Sequence, residues 1–196
     1  MREVTEENRF VTRAGLKLDH ALRELGVSAD GSACADLGSH VGGFVDCLLQ
    51  HGAARVYAID TAYGILAWKL RKDARVVVME RTNAMHVELP EKVDLVTIDV
   101  GWTPQRKILP RALSLLKDTG CAIALIKPQY ESLDTERRGG VVIPALLPQV
   151  LERVRQEITE CKARILGETR SPILGAGGNV EMLFLLAAAE TPQPDS

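Results

Sequence analysis

The sequence lacks any apolar run that approaches the ~18 residues needed to cross a bilayer, and Met1 to Val11 hold no signal-peptide core. Its four cysteines are widely separated and include no Cys-x-x-Cys pair, so the pattern predicts neither a zinc cluster nor a disulfide framework. The four histidines lack ligand spacing, and we predict no metal site. We expect a cytoplasmic protein with reduced thiols.

The chain also lacks a strong charge of either sign. Its 24 Lys and Arg against 26 Asp and Glu give a net charge of −2, which excludes a basic tail as the main source of nucleic-acid affinity. A local basic patch is not excluded. A length of 196 residues, 46% of them hydrophobic, fits one domain with a buried core. We expect this domain to span residues 1–190 and a disordered tail to occupy 191–196.

Short apolar runs alternate with longer amphipathic ones along the chain. This alternation predicts an α/β fold with a seven-stranded, mostly parallel sheet and helices on both faces. Because no helix separates the last two strands, we expect the final strand to run antiparallel. Strands are predicted at 33–37, 55–59, 75–79, 95–100, 122–126, 163–168 and 182–187, and helices at 15–25, 42–50, 64–71, 105–116 and 144–160.

A glycine-containing loop, Asp36-Leu-Gly-Ser-His-Val-Gly-Gly-Phe44, follows the first strand and opens a helix. A dinucleotide fingerprint would need glycine at position 40, where the chain has histidine, and this argues against hydride transfer. Asp36 before the glycines and Asp60 after strand two fit a nucleoside, since a carboxylate accepts hydrogen bonds from both ribose hydroxyls. The alternative is that the loop is only a tight turn and that Asp60 caps a helix.

Polar side chains also follow the next three predicted strands. Glu80-Arg-Thr-Asn83 follows the third, Asp99 the fourth, and Lys127-Pro-Gln-Tyr-Glu131 the fifth. In sheets of this kind, ligands bind beyond the carboxyl ends of the parallel strands. Five consecutive strands that end in this way predict a binding site at that edge.

From Val11 to Leu186 the chain resembles the S-adenosylmethionine-dependent methyltransferases of the TlyA type, which are related to the FtsJ-like (RrmJ-like) 2′-O-ribose methyltransferases of ribosomal RNA. The Ile-Lys-Pro-Gln and Ser-Pro-Ile-Leu-Gly segments are the most specific matches. The matching motifs, in order, are Thr12-Arg-Ala-Gly-Leu-Lys-Leu18, Asp36-Leu-Gly…Gly-Gly-Phe44, Glu80-Arg-Thr-Asn83, Thr97-Ile-Asp-Val100, Ile126-Lys-Pro-Gln-Tyr-Glu131 and Ser171-Pro-Ile-Leu-Gly175…Gly178-Asn-Val-Glu181.

The resemblance implies a Rossmann-like class I methyltransferase that uses S-adenosylmethionine, with a Lys-Asp-Lys-Glu tetrad to which the N-terminal helix at 11–25 contributes. The topology agrees, because residues 99 and 127 end parallel strands and residue 181 begins an antiparallel one. The implied tetrad is Lys17, Asp99, Lys127 and Glu181. The predicted cofactor-binding residues are Asp36, Gly38, Ser39, His40, Gly42, Gly43, Phe44, Asp60, Thr61, Glu80, Arg81, Thr82 and Asp99.

The implied chemistry assigns a role to each member of the tetrad. A ribose hydroxyl is a weak acid that must lose its proton as it attacks a sulfonium methyl, so we expect Lys127 to steer or deprotonate it, helped by Lys17. Asp99 would orient Lys127, and Glu181 would complete the network. The alternative for Lys17 and Glu181 is a surface salt bridge worth under ~1 kcal/mol.

The sequence departs from the family pattern in three places. The family usually carries an N-terminal S4 RNA-binding domain, whereas only Met1 to Val11 precede the first motif here. We therefore expect a partner, a small structured RNA or an assembled ribosomal particle to supply the RNA grip. Residues 39–41 are bulkier than usual. Residues 101–104 replace Ser-Phe-Ile-Ser, so that Trp102 either stacks on a base or packs against the following helix.

Two other functions compete with RNA methylation. One is a cofactor-binding domain whose activity is lost or altered by these loop changes, and the other is a small-molecule O-methyltransferase, which the acidic pI of about 6.1 favours. Members of the family are also labelled haemolysins, although nothing in this sequence resembles a pore.

Overall fold

A seven-stranded sheet forms the centre of the computed structural model, which describes residues 9–189. The predicted tail at 191–196 and the first residues of the predicted 1–190 domain lie outside this range. The strand order is β3-β2-β1-β4-β5-β7-β6, and β7 runs antiparallel to both of its neighbours. The strands are β1 Ala33–Leu37, β2 Arg55–Ile59, β3 Val76–Met79, β4 Val93–Ile98, β5 Leu116–Ile126, β6 Ala163–Arg170 and β7 Met182–Ala188. The predicted mostly parallel sheet with an antiparallel last strand is confirmed.

Helices cover both faces of the sheet. They are α1 Ala14–Glu24, α2 Gly43–Gln50, α3 Trp68–Arg71, α4 Gln105–Leu115 and α5 Leu147–Glu160. Between β5 and α5 lie a single helical turn, Pro128–Glu131, and a short hairpin that pairs Arg137–Arg138 with Val141–Val142. No helix within residues 9–189 is both long and apolar enough to span a bilayer.

Two hydrophobic clusters hold the helices against the sheet. One face packs α1, α2 and α3 through buried residues such as Leu18, Phe44 and Leu70. The other face packs α4 and α5 through Ile108 and Val154. The apolar faces of these helices therefore follow the periodicity in the sequence.

Several element boundaries differ from the predicted ones. The helix predicted at 64–71 begins only at Trp68, because Gly64 has a φ of +76° and Ala67 is extended. The helix predicted at 144–160 opens with a 3₁₀ turn, Pro144–Leu146, before α5 begins. β5 begins at Leu116 rather than at residue 122. Leu116 pairs with Val93 of β4, and the register between the two strands shifts before Leu95.

Candidate active site

A cavity of about 770 Å³ opens at the edge where the parallel strands end. This volume falls in the range of small-molecule sites, ~300–1,000 Å³. Most of the predicted site residues line it: Asp36, Gly38, Ser39, His40, Gly43, Phe44, Asp60, Thr61, Thr82, Asp99 and Lys127. The structure thus brings most of the predicted site residues together at one edge of the sheet.

The loop after β1 lies against the end of β4. Gly38 has a φ of +91°, and a Cβ there would come within 2.7 Å of the Asp99 carbonyl oxygen. Only glycine combines this backbone conformation with so close an approach. Gly42, with a φ of +104°, is the N-cap of α2 and does not line the cavity.

Asp60 holds the same loop from the end of β2. Its Oδ2 accepts a hydrogen bond from the backbone N–H of His40 at 2.8 Å, and its Oδ1 accepts one from Ala62 at 2.8 Å. The half-buried carboxylate also lines the cavity. Asp60 thus fixes the turn but caps neither α2 nor α3, whose N-caps are Gly42 and Ala67, and each of its oxygens keeps a further lone pair for a ligand.

Asp36 carries an unused acceptor atom at the cavity. Thr97 Oγ1 donates to Asp36 Oδ1 at 2.7 Å, whereas Asp36 Oδ2 has no hydrogen-bond partner among the described residues. The side chain is fully buried, and this burial raises its pKa to about 8. A ligand that brings a positive charge or an N–H donor to this oxygen would favour the ionised carboxylate, lower this pKa and make Oδ2 an acceptor.

Lys127 and Asp99 form an ion pair at the cavity. Lys127 Nζ lies 2.6 Å from Asp99 Oδ1 and donates to the Val100 carbonyl oxygen at 3.0 Å. Both side chains are partly exposed and line the cavity. The ammonium group is therefore fixed by two acceptors while it faces the space where a ligand would lie.

Lys17 and Glu181 form the second ion pair, which is buried. Lys17 Nζ contacts Glu181 Oε2, and the two residues are only 7% and 3% exposed. A Cβ at Gly175 would overlap the Glu181 carboxylate, so glycine at that position leaves room for the acid. This burial excludes the surface salt bridge considered as the alternative.

The strand register brings the two ion pairs to the same edge. Ile126 and Met182 are partners across β5 and β7, so Lys127 and Glu181 lie next to this last pair. Lys17 and Glu181 do not line the cavity, whereas Lys127 and Asp99 do. Two members of the implied tetrad thus face the cavity, and the other two form a buried pair beside them.

Glu80 and Arg81 of the predicted cofactor set do not line the cavity. Glu80 forms an ion pair with Arg71 and accepts a hydrogen bond from the Gly64 N–H at 2.9 Å. The Arg81 guanidinium lies over the Tyr63 ring, 4.2 Å from its centroid. These two side chains organise the surface beside the cavity.

Sequence reasoning missed several residues that line the cavity. Thr12, Asn83 and Tyr130 belong to motifs that were recognised, yet they were not assigned to the site. Met85 and Ile108 could not be predicted as site residues, because the sequence does not distinguish an apolar side chain at a site from one in the core.

Trp102 projects from the loop after β4. It is 83% exposed with a φ of +60°, and its ring centroid lies 4.8 Å from that of Tyr130 at an interplanar angle of 33°. The ring therefore contacts the turn after β5, and most of its surface is open to solvent.

One cluster of possible metal ligands forms although the residue spacing did not predict it. It consists of Asp19, Cys47 and His51. Asp19 Oδ1 lies 2.7 Å from His51 Nε2, and the same carboxylate pairs with Arg9 at 3.2 Å and Arg23 at 2.7 Å. Two guanidinium groups thus already neutralise the acid that a metal ion would need.

Comparisons with known proteins identify the family of this chain. A model of the FtsJ-like methyltransferase family matches residues 10–188. A candidate rRNA methyltransferase, YqxC of Bacillus subtilis (strain 168), is 42% identical over 191 residues, which cover 91% of this chain and 66% of that protein. The 16S/23S rRNA (cytidine-2′-O)-methyltransferase TlyA of Mycobacterium tuberculosis (strain ATCC 25618 / H37Rv) is 38% identical over 190 residues, or 93% of this chain and 70% of TlyA.

A solved structure, described as that of a candidate hemolysin from Streptococcus thermophilus, has a TM-score of 0.90 and 36% identity. That match covers 100% of this chain and 72% of the other. The chain spans about two thirds of the length of the two curated relatives. Since the family model covers nearly all described residues, the chain belongs to the FtsJ-like methyltransferase family.

Proposed function

We propose that this methyltransferase transfers the methyl group of S-adenosylmethionine to a ribose 2′-hydroxyl of ribosomal RNA. The observation that carries the proposal is the pairing of Lys127 with Asp99 at the cavity, beside the buried pair of Lys17 and Glu181. The name of the TlyA relative, a cytidine-2′-O-methyltransferase, supports the same acceptor atom.

The cavity fits S-adenosylmethionine by its size and its donors and acceptors. Asp60 offers free lone pairs for the ribose hydroxyls, and the unpartnered oxygen of Asp36 offers an acceptor for an amino group. The loop from Gly38 to Gly43 would run along the donor. When bound, S-adenosylmethionine supplies an electrophilic methyl group on a positively charged sulfur.

The residues of this chain would hold and activate the hydroxyl. Lys127 Nζ, oriented by Asp99 and by the Val100 carbonyl, presents an N–H donor at the cavity surface. A fixed ammonium group there holds the hydroxyl in line and stabilises the oxyanion that develops as the hydroxyl proton passes to solvent in the open cavity. Because Lys17 and Glu181 neutralise each other, this pair adds no net charge to the sheet edge at which the Lys127 ammonium group acts.

Exposed groups around the cavity would meet the RNA. The free surface of Trp102 suits stacking on a nucleobase, which contributes ~1–3 kcal/mol per base. With a net charge of −2, the chain is not a strong general polyanion binder. We therefore infer that a ribosomal particle or a partner protein in the cytoplasm supplies further RNA contacts.

The test is transfer of tritiated methyl groups from S-adenosylmethionine to ribosomal RNA and to ribosomal subunits. We expect label in alkali-resistant dinucleotides, since a 2′-O-methyl group blocks alkaline cleavage of the adjacent phosphodiester. Lys127→Ala should lower the rate of labelling by about 10²–10³, and Lys117→Ala, which removes an exposed ion pair with Asp94, should not change it. Label in mononucleotides would mean methylation of the base, and label confined to metabolite extracts would favour a small-molecule acceptor.

Calorimetry with S-adenosylmethionine, combined with the labelling assay, separates an enzyme from a binding domain. An inactive cofactor-binding domain would bind S-adenosylmethionine but label no RNA, whereas the proposed enzyme does both. Lys127→Ala should still bind the donor, because its ammonium group serves the acceptor.

A further inference from the structure

Two exposed aromatic rings lie in the segment that connects β2 to β3, the edge strand of the sheet. Tyr63 is 68% exposed and Trp68 is 69% exposed. Each carries a cation on one face: Arg81 lies 4.2 Å from the Tyr63 centroid, and Lys72 lies 4.8 Å from that of Trp68. We call these four residues the aromatic-basic patch.

The patch is held firmly by the residues beneath it. Leu66 and Leu70 are buried at 4% and 3% exposure, and they anchor the segment between β2 and β3. The Gly64 N–H donates to Glu80 Oε1 at 2.9 Å, and the Arg81 N–H donates to the Ala62 carbonyl at 3.2 Å. These contacts anchor the backbone that carries the two exposed rings.

The two cations of the patch are not neutralised by a carboxylate. Lys72 and Arg81 form no ion pair within residues 9–189, whereas three cations near them do. Those three pairs are Lys69 with Asp46, Arg71 with Glu80, and Arg75 with Asp73. Lys72 and Arg81 therefore each keep a positive charge that those three acids do not neutralise.

We propose that the aromatic-basic patch binds single-stranded RNA that flanks the modified nucleotide, an inference that rests on the proposed function. Aromatic rings stack on bases of any sequence, and adjacent cations bind phosphates. Tyr, Trp and Arg are also common in protein interfaces, so what favours RNA is the positive charge of Lys72 and Arg81, which no carboxylate pairs within residues 9–189. Thr61 and Thr82 line the cavity and lie within two residues of Tyr63 and Arg81, so RNA on the patch would pass the cavity.

The first test uses the fact that the chain has two tryptophans. In a Trp102→Phe variant, Trp68 is the single tryptophan, and its fluorescence should be quenched when a single-stranded 15-nucleotide polyuridine is added. Unchanged fluorescence under conditions in which the oligonucleotide binds would overturn the proposal.

The second test separates stacking from charge. Tyr63→Ala and Trp68→Ala should each raise the KM for ribosomal RNA about tenfold, with kcat and the Kd for S-adenosylmethionine unchanged. Lys72→Ala and Arg81→Ala should each reduce the slope of log K against log salt by about 0.7. Leu166→Ala, at an exposed position (52%) on the strand at the opposite edge of the sheet, is the matched control.

The outcomes distinguish this inference from the proposed function. If wild-type protein methylates RNA and the patch variants retain its KM and salt slope, the patch proposal is wrong and the function stands. If wild-type protein neither binds nor methylates RNA, the proposed function fails. Variants that lose affinity for ribosomal subunits, but not for naked RNA, would assign the patch to a protein and overturn the proposal.

Discussion

Lys127 and Glu181 are neighbours across two antiparallel strands, each one residue beyond the register pair of Ile126 and Met182. An antiparallel strand presents its beginning to the edge where parallel strands end, and this is why β7 brings an acid to the cavity edge. Each of the two residues holds an oppositely charged partner, Asp99 and Lys17 respectively. Charges distant in the sequence thereby form two neutral pairs at one sheet edge.

Replacing Lys127 should lower the rate of methyl transfer much more than it lowers the stability of the fold. Lys127→Ala should lower kcat by about 10²–10³, the usual cost of removing one fixed donor from a developing oxyanion. Because the pair with Asp99 is partly exposed, we expect the free energy of unfolding to fall by only ~1 kcal/mol. Single-turnover methyl transfer and urea denaturation measure the two effects. A variant with near-normal kcat would remove Lys127 from the mechanism.

The Lys17–Glu181 pair should matter for stability as well as for activity. Glu181→Ala leaves a buried ammonium group unpaired and should destabilise the protein by ~3–5 kcal/mol. A Lys17→Met, Glu181→Leu double variant removes both charges and should recover most of that loss in chemical denaturation. If the double variant also recovered methyl transfer, the pair would be structural only.

Asp60 should contribute to donor affinity. Asp60→Ala removes the acceptor for ribose hydroxyls and releases the His40 and Ala62 N–H groups, so the Kd for S-adenosylmethionine should rise by about ten- to a hundredfold. Calorimetry measures the change. Asp94→Ala at the opposite end of the sheet should leave the affinity unaltered, and equal affinities in the two variants would contradict the assignment.

Glu131 should make stability depend on pH. Burial raises its pKa from 4.5 to about 7, although the Gln105 N–H donates to its Oε1 at 3.0 Å and Arg106 and Arg153 favour the charged form. Because the folded chain holds this proton to higher pH than the unfolded chain, the free energy of unfolding should decrease as pH rises from about 4.5 to about 7.

The matching variant is Glu131→Gln, which keeps an acceptor for the Gln105 N–H. It should remove up to ~3 kcal/mol of that pH dependence. Asp36, whose pKa burial raises to about 8, supplies the remaining slope in the same direction. Urea titrations between pH 4 and 8 measure both profiles, and parallel curves for wild type and variant would show that Glu131 is ionised throughout.

The sheet was predictable because its signals are local, whereas parts of the site were not. Apolar runs predict the strands, and the polar residues that follow these runs predict a site at the edge where the cavity lies. Lys17 was assigned only through the family resemblance, since a lysine on an amphipathic helix normally faces solvent and this one is buried. The late start of α3 was missed because Gly64 and Ala67 leave helical geometry inside an otherwise helical pattern.

Gly175 should be required for the position of Glu181. In Gly175→Ala the added methyl group would overlap the Glu181 carboxylate and push it away from Lys17, although the φ of −72° at this residue suits alanine. We therefore expect a loss of ~1–3 kcal/mol in the free energy of unfolding, together with reduced methyl transfer. Gly101→Ala is the matched control, because a Cβ there meets no atom within 4 Å and should leave stability unchanged in urea denaturation. If the two variants were equally stable, the Glu181 carboxylate could move without cost, and Gly175 would not be needed to hold it against Lys17.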